Sequence, residues 1–125
     1  MVANISGDEL EDLYSCASIY WHATGLGESP LSTPSRFEHF GISVVEAMAA
    51  GVVPIVVEKG GPSEIVQPGI NGLHWENLND LVDKTNHLIS DGSWSDTLRK
   101  KSIERSTDFD KKRYRNQLRE FFDEI

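Results

Sequence analysis

Residues 36–57 of this 125-residue chain read RFEHFGISVVEAMAAGVVPIVV, and this stretch decides the fold. Apolar residues recur at helical spacing through residues 41–50, and Gly51 suits the position just past a helix. The continuous apolar run at 52–57 is typical of a central parallel strand that is covered on both faces. Pro54 fits such a strand only near its start. The stretch therefore predicts a polar loop, a helix and a buried strand.

The segments on either side continue this alternation of strand and helix. We expect a strand at 2–5, and Ser6 and Glu9 have capping-box spacing for a helix running to Tyr14. A second strand is predicted at 17–21, followed by a long loop at 22–38. Further predicted elements are a short helix at 63–66, a strand at 72–75, and helices at 78–90, 94–106 and 111–124. The order indicates right-handed βαβ units, a parallel α/β sheet and ligands at the carboxyl ends of its strands.

Composition limits the class of partner. Apolar residues make up 38% of the chain, which is typical of a folded domain, and the formal net charge is −8. Such acidity argues against nucleic-acid binding, because phosphate backbones attract basic patches. An anionic ligand would have to be held by local groups.

The cysteine content and the first residues indicate the cellular compartment of the protein. Cys16 is the one cysteine, which excludes an intramolecular disulfide and suits a reducing environment. Its small apolar neighbours indicate a core position. We find no signal-peptide pattern and no apolar run long enough for a membrane span, so we expect a cytoplasmic protein.

The predicted start of the helix at 41–50 is the candidate binding site. The free backbone amides of Phe40, Gly41, Ile42 and Ser43 should converge there, where the helix dipole favours a phosphate or a sugar oxygen. Glu46 lies about one turn into the helix, and a buried glutamate would need a fixed partner such as sugar hydroxyls. A solvent-facing helix position for Glu46 and an ordinary loop carboxylate at 38 remain alternatives.

The ordered motifs of the chain resemble the group 1, or glycogen-synthase-like, family of retaining glycosyltransferases. The hallmark is a pair of glutamates separated by seven residues, here Glu38 and Glu46, with Phe40 and Gly41 between them. The matching segments that follow are residues 46–51, 54–57, 60–66 and 69–73. Residues 14–23 resemble the strand upstream, so the resemblance covers essentially the whole chain.

This resemblance implies one half of a GT-B fold: a three-layer, Rossmann-like, donor-binding C-terminal domain at residues 1–125. Glu46 would hold the ribose, and the amides of Phe40, Gly41 and Ile42 would contact the diphosphate and the donor sugar. Glu38 would contact the transferred sugar near the reaction centre. His22 and Gly25 fall where the cleft should lie, and Gly60, Gly61 and Glu64 are weaker candidates for shaping it.

The implied reaction is transfer of a sugar from a nucleoside-diphosphate-sugar with retention at the anomeric carbon, with no cofactor and usually without a metal. The four histidines, His22, His39, His74 and His87, lack ligand spacing. Complete family members carry an upstream Arg and Lys that clamp the diphosphate, together with an N-terminal acceptor domain. Because this chain shows neither, we expect a fragment that alone binds nucleotide-sugar weakly and has little or no activity.

Three other readings remain open. The chain could be a non-catalytic nucleotide-sugar-binding module or subunit, since the same pocket would serve without the clamp. A related GT-B nucleotide-sugar epimerase ranks lower, because its signatures around the glycines differ. A structural helical domain is the third, since Tyr114, Leu118 and Phe121 form part of an apolar stripe suited to docking.

Overall fold

The computed structural model describes residues 6–23, 41–109 and 119 of the chain. The predicted strand at 2–5, the C-terminal helix at 111–124 and most of the loop at 22–38 lie outside these residues. The helices are α1 (Gly7–Cys16), α2 (Ile42–Ala49), α3 (Gly61–Ile65), α4 (Leu78–Ser90) and α5 (Gly92–Ser106), and the strands are β1 (Ile19–His22), β2 (Val53–Val57) and β3 (Leu73–Trp75). A 3-10 turn at Thr107–Phe109 follows α5.

The described strands form one parallel sheet in the order β1-β2-β3. Ile19 aligns with Val53, and Ile55 aligns with Leu73. All five residues of the central strand β2 are buried, as its continuous apolar run predicts. Pro54 occupies the second position of β2, which confirms its expected place near the start.

Helices cover both faces of this sheet, so the predicted three-layer α/β fold is confirmed. Alternate residues of β2 point to opposite faces and enter two separate cores. One core, here called the α4 face, contains Val53, Ile55, Val57, Leu73, Trp75, Leu81, Leu88 and Leu98. The other, here called the α2 face, contains Val44, Met48, Val56, Ile65 and Val66.

Side-chain caps set where the helices begin. Ser6 and Glu9 form the predicted capping box, and α1 runs to Cys16, two residues past the predicted end. The start predicted for α5 at Trp94 was two residues late. Asp91 is the N-cap, and its carboxylate accepts a hydrogen bond from the Trp94 amide at 3.0 Å, so the helix begins at Gly92.

The core position predicted for Cys16 was wrong, because its thiol is exposed. The residue ends α1, a helix in which no residue is buried. Small neighbours in sequence therefore do not enclose the thiol. Among the described helices, none combines the length and the apolar character that crossing a membrane requires.

Candidate functional site

The amino end of α2 lies at the carboxyl edge of the sheet. Gly41 is its N-cap residue, and within the part of the chain that the structure describes no side chain caps the helix there. The first helical hydrogen bond runs from the Val45 amide to the Gly41 carbonyl at 3.0 Å. The amides of Ile42, Ser43 and Val44 therefore precede the hydrogen-bond ladder of the helix, and together with the helix dipole they favour an anionic ligand.

Glycine is required at position 41 for two reasons. Its backbone is left-handed, with φ 65° and ψ 43°, a conformation that most side chains disfavour. A Cβ atom added there would lie 2.9 Å from Ile65 Cδ1 and 3.3 Å from Pro62 Cγ. The start of α2 is thus packed directly against α3.

Two tyrosines reach the first turn of α2 from the other side. The Tyr20 hydroxyl, on β1, donates to Ser43 Oγ at 2.9 Å. The Tyr14 hydroxyl, on α1, donates to the Ser43 carbonyl oxygen at 3.3 Å. The tyrosine rings are tilted at 51° with their centroids 6.2 Å apart.

Glu46 is exposed, as its solvent-facing alternative predicts, and lies beside a cavity. The cavity measures about 600 Å³ and lies between α1 and α2. It is lined by Gly7, Leu10, Glu11, Tyr14, Ser15, Glu46, Ala49 and Ala50. Ala49 and Ala50 are exposed beside Glu46 whereas Ala47 is buried, so Glu46 takes the solvent-facing alternative and its carboxylate needs no buried partner.

His22 ends β1 and is buried, with 5% of its surface exposed. Its carbonyl oxygen accepts a hydrogen bond from Trp75 Nε1 at 3.0 Å, so the ends of β1 and β3 are joined across β2. The His22 and Tyr20 ring centroids are 6.2 Å apart, on one face of the strand. The structure therefore places His22 near the start of α2, at the edge where the sequence places the cleft.

Gly60 and Gly61 follow β2 at the same edge of the sheet. Gly60 has a φ of 75° and precedes α3, whose first residue, Gly61, is buried. Glu64 is exposed on α3. Glu38, Phe40 and Gly25 lie outside the described residues, so the geometry of the glutamate pair stays a prediction.

Among the described residues, no cluster of three or more His, Cys, Asp or Glu side chains is arranged to hold a metal ion. The chain contains one Asp-x-Asp triplet, at 108–110, which sequence reasoning missed. Asp108 pairs with Arg105 at 2.9 Å. It lines a second cavity with Gln67 and Asn71, which precede β3, so it lies away from the carboxyl edge of the sheet.

Sequence analysis assigned no role to Tyr20 or Trp75. One signal was available for Tyr20, because strand periodicity places it on the same face as His22. The bond from Trp75 to His22 joins residues 53 positions apart and had no local signal.

Comparison with known proteins identifies the family. Residues 1–108 match the sequence family described as glycosyl transferases group 1. The chain therefore belongs to the group 1 glycosyltransferase family, and its sheet and helices are those of a Rossmann-like GT-B half.

Two curated relatives illustrate the similarity in sequence. The chain is 38% identical over 81 residues to a sucrose synthase of Melioribacter roseus, covering 60% of this chain and 10% of the relative. It is 43% identical over 84 residues to an uncharacterized glycosyltransferase of Methanocaldococcus jannaschii, covering 66% of this chain and 23% of the relative. The chain thus spans a quarter or less of these proteins.

Solved structures show the same fold. Sucrose-phosphate synthase from Thermosynechococcus elongatus superposes with a TM-score of 0.71 at 27% identity, over 99% of this chain and 30% of that one. HepE of Anabaena, in complex with UDP, gives 0.69 at 23% identity, over 90% of this chain and 29% of that one. The C-terminal domain of the group 1 protein LpcC from Francisella tularensis gives 0.69 at 23% identity, over 86% of this chain and 50% of that one.

Proposed function

We propose that this chain is the donor-binding half of a retaining glycosyltransferase that uses a nucleoside-diphosphate-sugar. One observation carries the proposal: the amino end of α2, which no described side chain caps, lies one helical turn from an exposed glutamate that lines a cavity. A helix start suits the diphosphate, and a carboxylate suits the ribose hydroxyls.

Each proposed contact has a chemical reason. The amides of Phe40, Gly41 and Ile42 would donate to the diphosphate and to the donor sugar. Glu46 would accept hydrogen bonds from the ribose, which explains an exposed carboxylate beside a largely apolar cavity wall. Glu38 would contact the hydroxyls of the transferred sugar and is the proposed catalytic residue.

In the proposed reaction the main task of the protein is to stabilise the negative charge on the departing diphosphate, not to form a covalent intermediate. The bond between the anomeric carbon and the diphosphate oxygen breaks, and negative charge collects on the departing diphosphate. Amides fixed before the reaction, aligned with a helix dipole, stabilise that charge at no cost of reorientation. An acceptor hydroxyl then bonds to the same face of the anomeric carbon, and its proton passes to the departing diphosphate oxygen. This scheme assigns no resident metal.

The wall of the donor pocket would come from the carboxyl edge of the sheet. His22 is fixed there by the bond from Trp75. Gly61 is buried at the start of α3, the helix that packs against Gly41. Gly25 would complete the wall from the loop that follows β1.

The acceptor-binding domain is proposed to lie elsewhere in the same enzyme. The chain covers 10% of the sucrose synthase and 30% of the sucrose-phosphate synthase chain that it resembles. We therefore expect the isolated chain to bind nucleotide weakly and to transfer no sugar. Robust sugar transfer by these 125 residues alone would contradict this division.

Calorimetric or NMR titration of the chain with UDP tests the site, since UDP is the nucleotide held by the similar HepE structure. If Glu46 accepts a hydrogen bond from the ribose 2′-hydroxyl, the chain should bind UDP more tightly than 2′-deoxyuridine diphosphate. The variant Glu46→Gln should reduce that preference. Asp83→Asn, which removes an exposed carboxylate from α4, is the matched control and should retain the preference.

Other outcomes of the same titration separate the alternatives. Absence of UDP binding, followed by absence of binding across a panel of nucleoside diphosphates, would contradict the proposal. Tight binding by the isolated chain would favour a non-catalytic nucleotide-sugar-binding module over one half of an enzyme.

A further inference from the structure

We propose that Tyr14 and Tyr20 are positioning residues for the donor site, because their hydroxyls hold Ser43 and so fix the direction of the first-turn amides of α2. This inference rests on the proposed function. It adds two residues that act on the amides through Ser43, and one of them, Tyr14, also lines the cavity beside Glu46.

The two hydrogen bonds come from different elements and meet on one residue. Tyr20 on β1 donates to the Ser43 hydroxyl at 2.9 Å, and Tyr14 on α1 donates to the Ser43 carbonyl at 3.3 Å. A carbonyl at this position of a helix also accepts from the amide four residues later, so the bond from Tyr14 is additional to the helical ladder. Neither bond is needed to form α2.

The tyrosine rings are themselves held in place. Both residues are half-buried, and Tyr20 packs against the α2-face core. The remaining ring contacts would survive loss of a hydroxyl, so a change to Phe removes the hydrogen bond and keeps most of the packing. This makes the hydroxyl contribution separable from the structural contribution.

Contacts from α3, on the opposite side, also hold the first turn of α2. Gly41 packs against Pro62 and Ile65 of α3, with no space for a Cβ atom. The first turn of α2 is therefore fixed from α1 and β1 on one side and from α3 on the other. An orientation fixed before the ligand arrives is what stabilisation of a developing charge requires.

The test compares Tyr14→Phe, Tyr20→Phe and the double variant with Thr85→Val. Thr85 Oγ1 accepts a hydrogen bond from Trp21 Nε1 at 3.1 Å, so this control also removes a hydroxyl that joins β1 to a helix, but on the α4 face. Affinities for UDP and for uridine are measured by NMR titration. Amide shifts of Ile42 and Val44 are recorded without ligand.

We expect Tyr20→Phe to weaken UDP binding roughly three- to ten-fold, the effect typical of one lost hydrogen bond. Uridine, which has no diphosphate, should bind with unchanged affinity, and the amide shifts should move. Thr85→Val should change neither affinity nor these shifts.

Three results would overturn the inference. An unchanged UDP affinity in the double variant refutes positioning and leaves the donor site intact. An equal loss for UDP and uridine indicates a general structural role. Absence of binding by the unmodified chain to UDP and to every other nucleoside diphosphate of the panel refutes the donor site and the positioning role together.

Discussion

The α4 face and the α2 face of the sheet differ in the interactions that hold their helices. On the α4 face, large apolar side chains such as Trp75, Leu88 and Leu98 fill the space between the strands and the helices. On the α2 face the described core residues, such as Val44 and Ile65, are aliphatic, and two tyrosine hydroxyls and a left-handed glycine hold the start of α2.

This difference suggests that the two faces contribute differently to folding stability and to nucleotide binding. The candidate donor site uses the α2 face, where the start of α2 packs directly against α3. The α4 face has no proposed ligand contact. We therefore expect changes on the α4 face to alter the free energy of unfolding alone, and changes on the α2 face to alter nucleotide binding as well.

The largest loss of stability is expected for Leu98→Ala. Leu98 is 1% exposed, and its truncation leaves a cavity in the α4-face core, which typically costs about 2–5 kcal/mol. Urea denaturation measures this loss. UDP affinity, measured where the variant is folded, should be unchanged; a fall in affinity matching that of a site variant would remove the distinction between the faces.

Gly41→Ala should lower both stability and binding. The left-handed backbone costs an alanine about 1–2 kcal/mol, and the added Cβ would displace Ile65. Thermal unfolding and UDP titration give the two values. Gly92→Ala is the matched control: Gly92 starts α5 with open space around it, so this variant should keep its stability and its affinity.

Arg105→Lys should produce a smaller loss of stability. Arg105 Nε donates to the Ile65 carbonyl at 3.1 Å, and its Nη1 pairs with Asp108 at 2.9 Å. Lysine keeps the charge but lacks the planar fork, so we expect a loss of about 1 kcal/mol. Arg99→Lys, at an exposed 3.7 Å pair with Asp96, is the control in chemical denaturation. Equal stabilities for Arg105→Lys and Arg99→Lys would show that the planar guanidinium of Arg105 contributes nothing to stability.

The smallest expected effect is a pH dependence at the start of α4. The hydrogen bond from Lys84, at 3.0 Å, lowers the pKa of Asp80, and the Glu76 amide adds to this. A lowered pKa in the folded state means that the contribution is complete above the ordinary aspartate pKa of about 3.9 and is lost as pH falls through the folded value.

Asp80→Asn should therefore be less stable than the unmodified chain at pH 6, and the difference should shrink towards pH 3. Urea denaturation at both pH values measures it. Asp83→Asn, on the same helix, serves as the control. A stability difference between Asp80→Asn and the unmodified chain that grows as the pH falls would contradict a lowered pKa of Asp80.

Periodicity and caps gave most of the described fold. The apolar run at 52–57 was sufficient to place β2 at the centre of a parallel sheet, because only a strand covered on both faces can be apolar throughout. Helix α4 was predicted at its observed bounds, and the structure adds Asn77 as its N-cap, which was not predicted. These signals are local, so sequence alone carries them.

Long-range contacts were not predictable in the same way. The hydrogen bonds to Ser43 and the bond from Trp75 to His22 depend on how distant segments meet. The sequence also left open whether Glu46 on α2 is buried or faces solvent. Small residues such as Ala49 and Ala50 fit either a buried or an exposed helix face, and here they line a cavity beside Glu46.

The central claim is that the start of α2 binds the diphosphate of a nucleotide-sugar. The most direct measurement is a series of ¹H–¹⁵N spectra of the chain during titration with UDP. The account predicts that the largest chemical-shift changes fall on the amides of Gly41, Ile42, Ser43 and Val44. The amide signals of α4 and α5 should not shift. Shifts confined to α4 and α5, or spectra that stay unchanged with UDP and with every other nucleoside diphosphate of the panel, would contradict it.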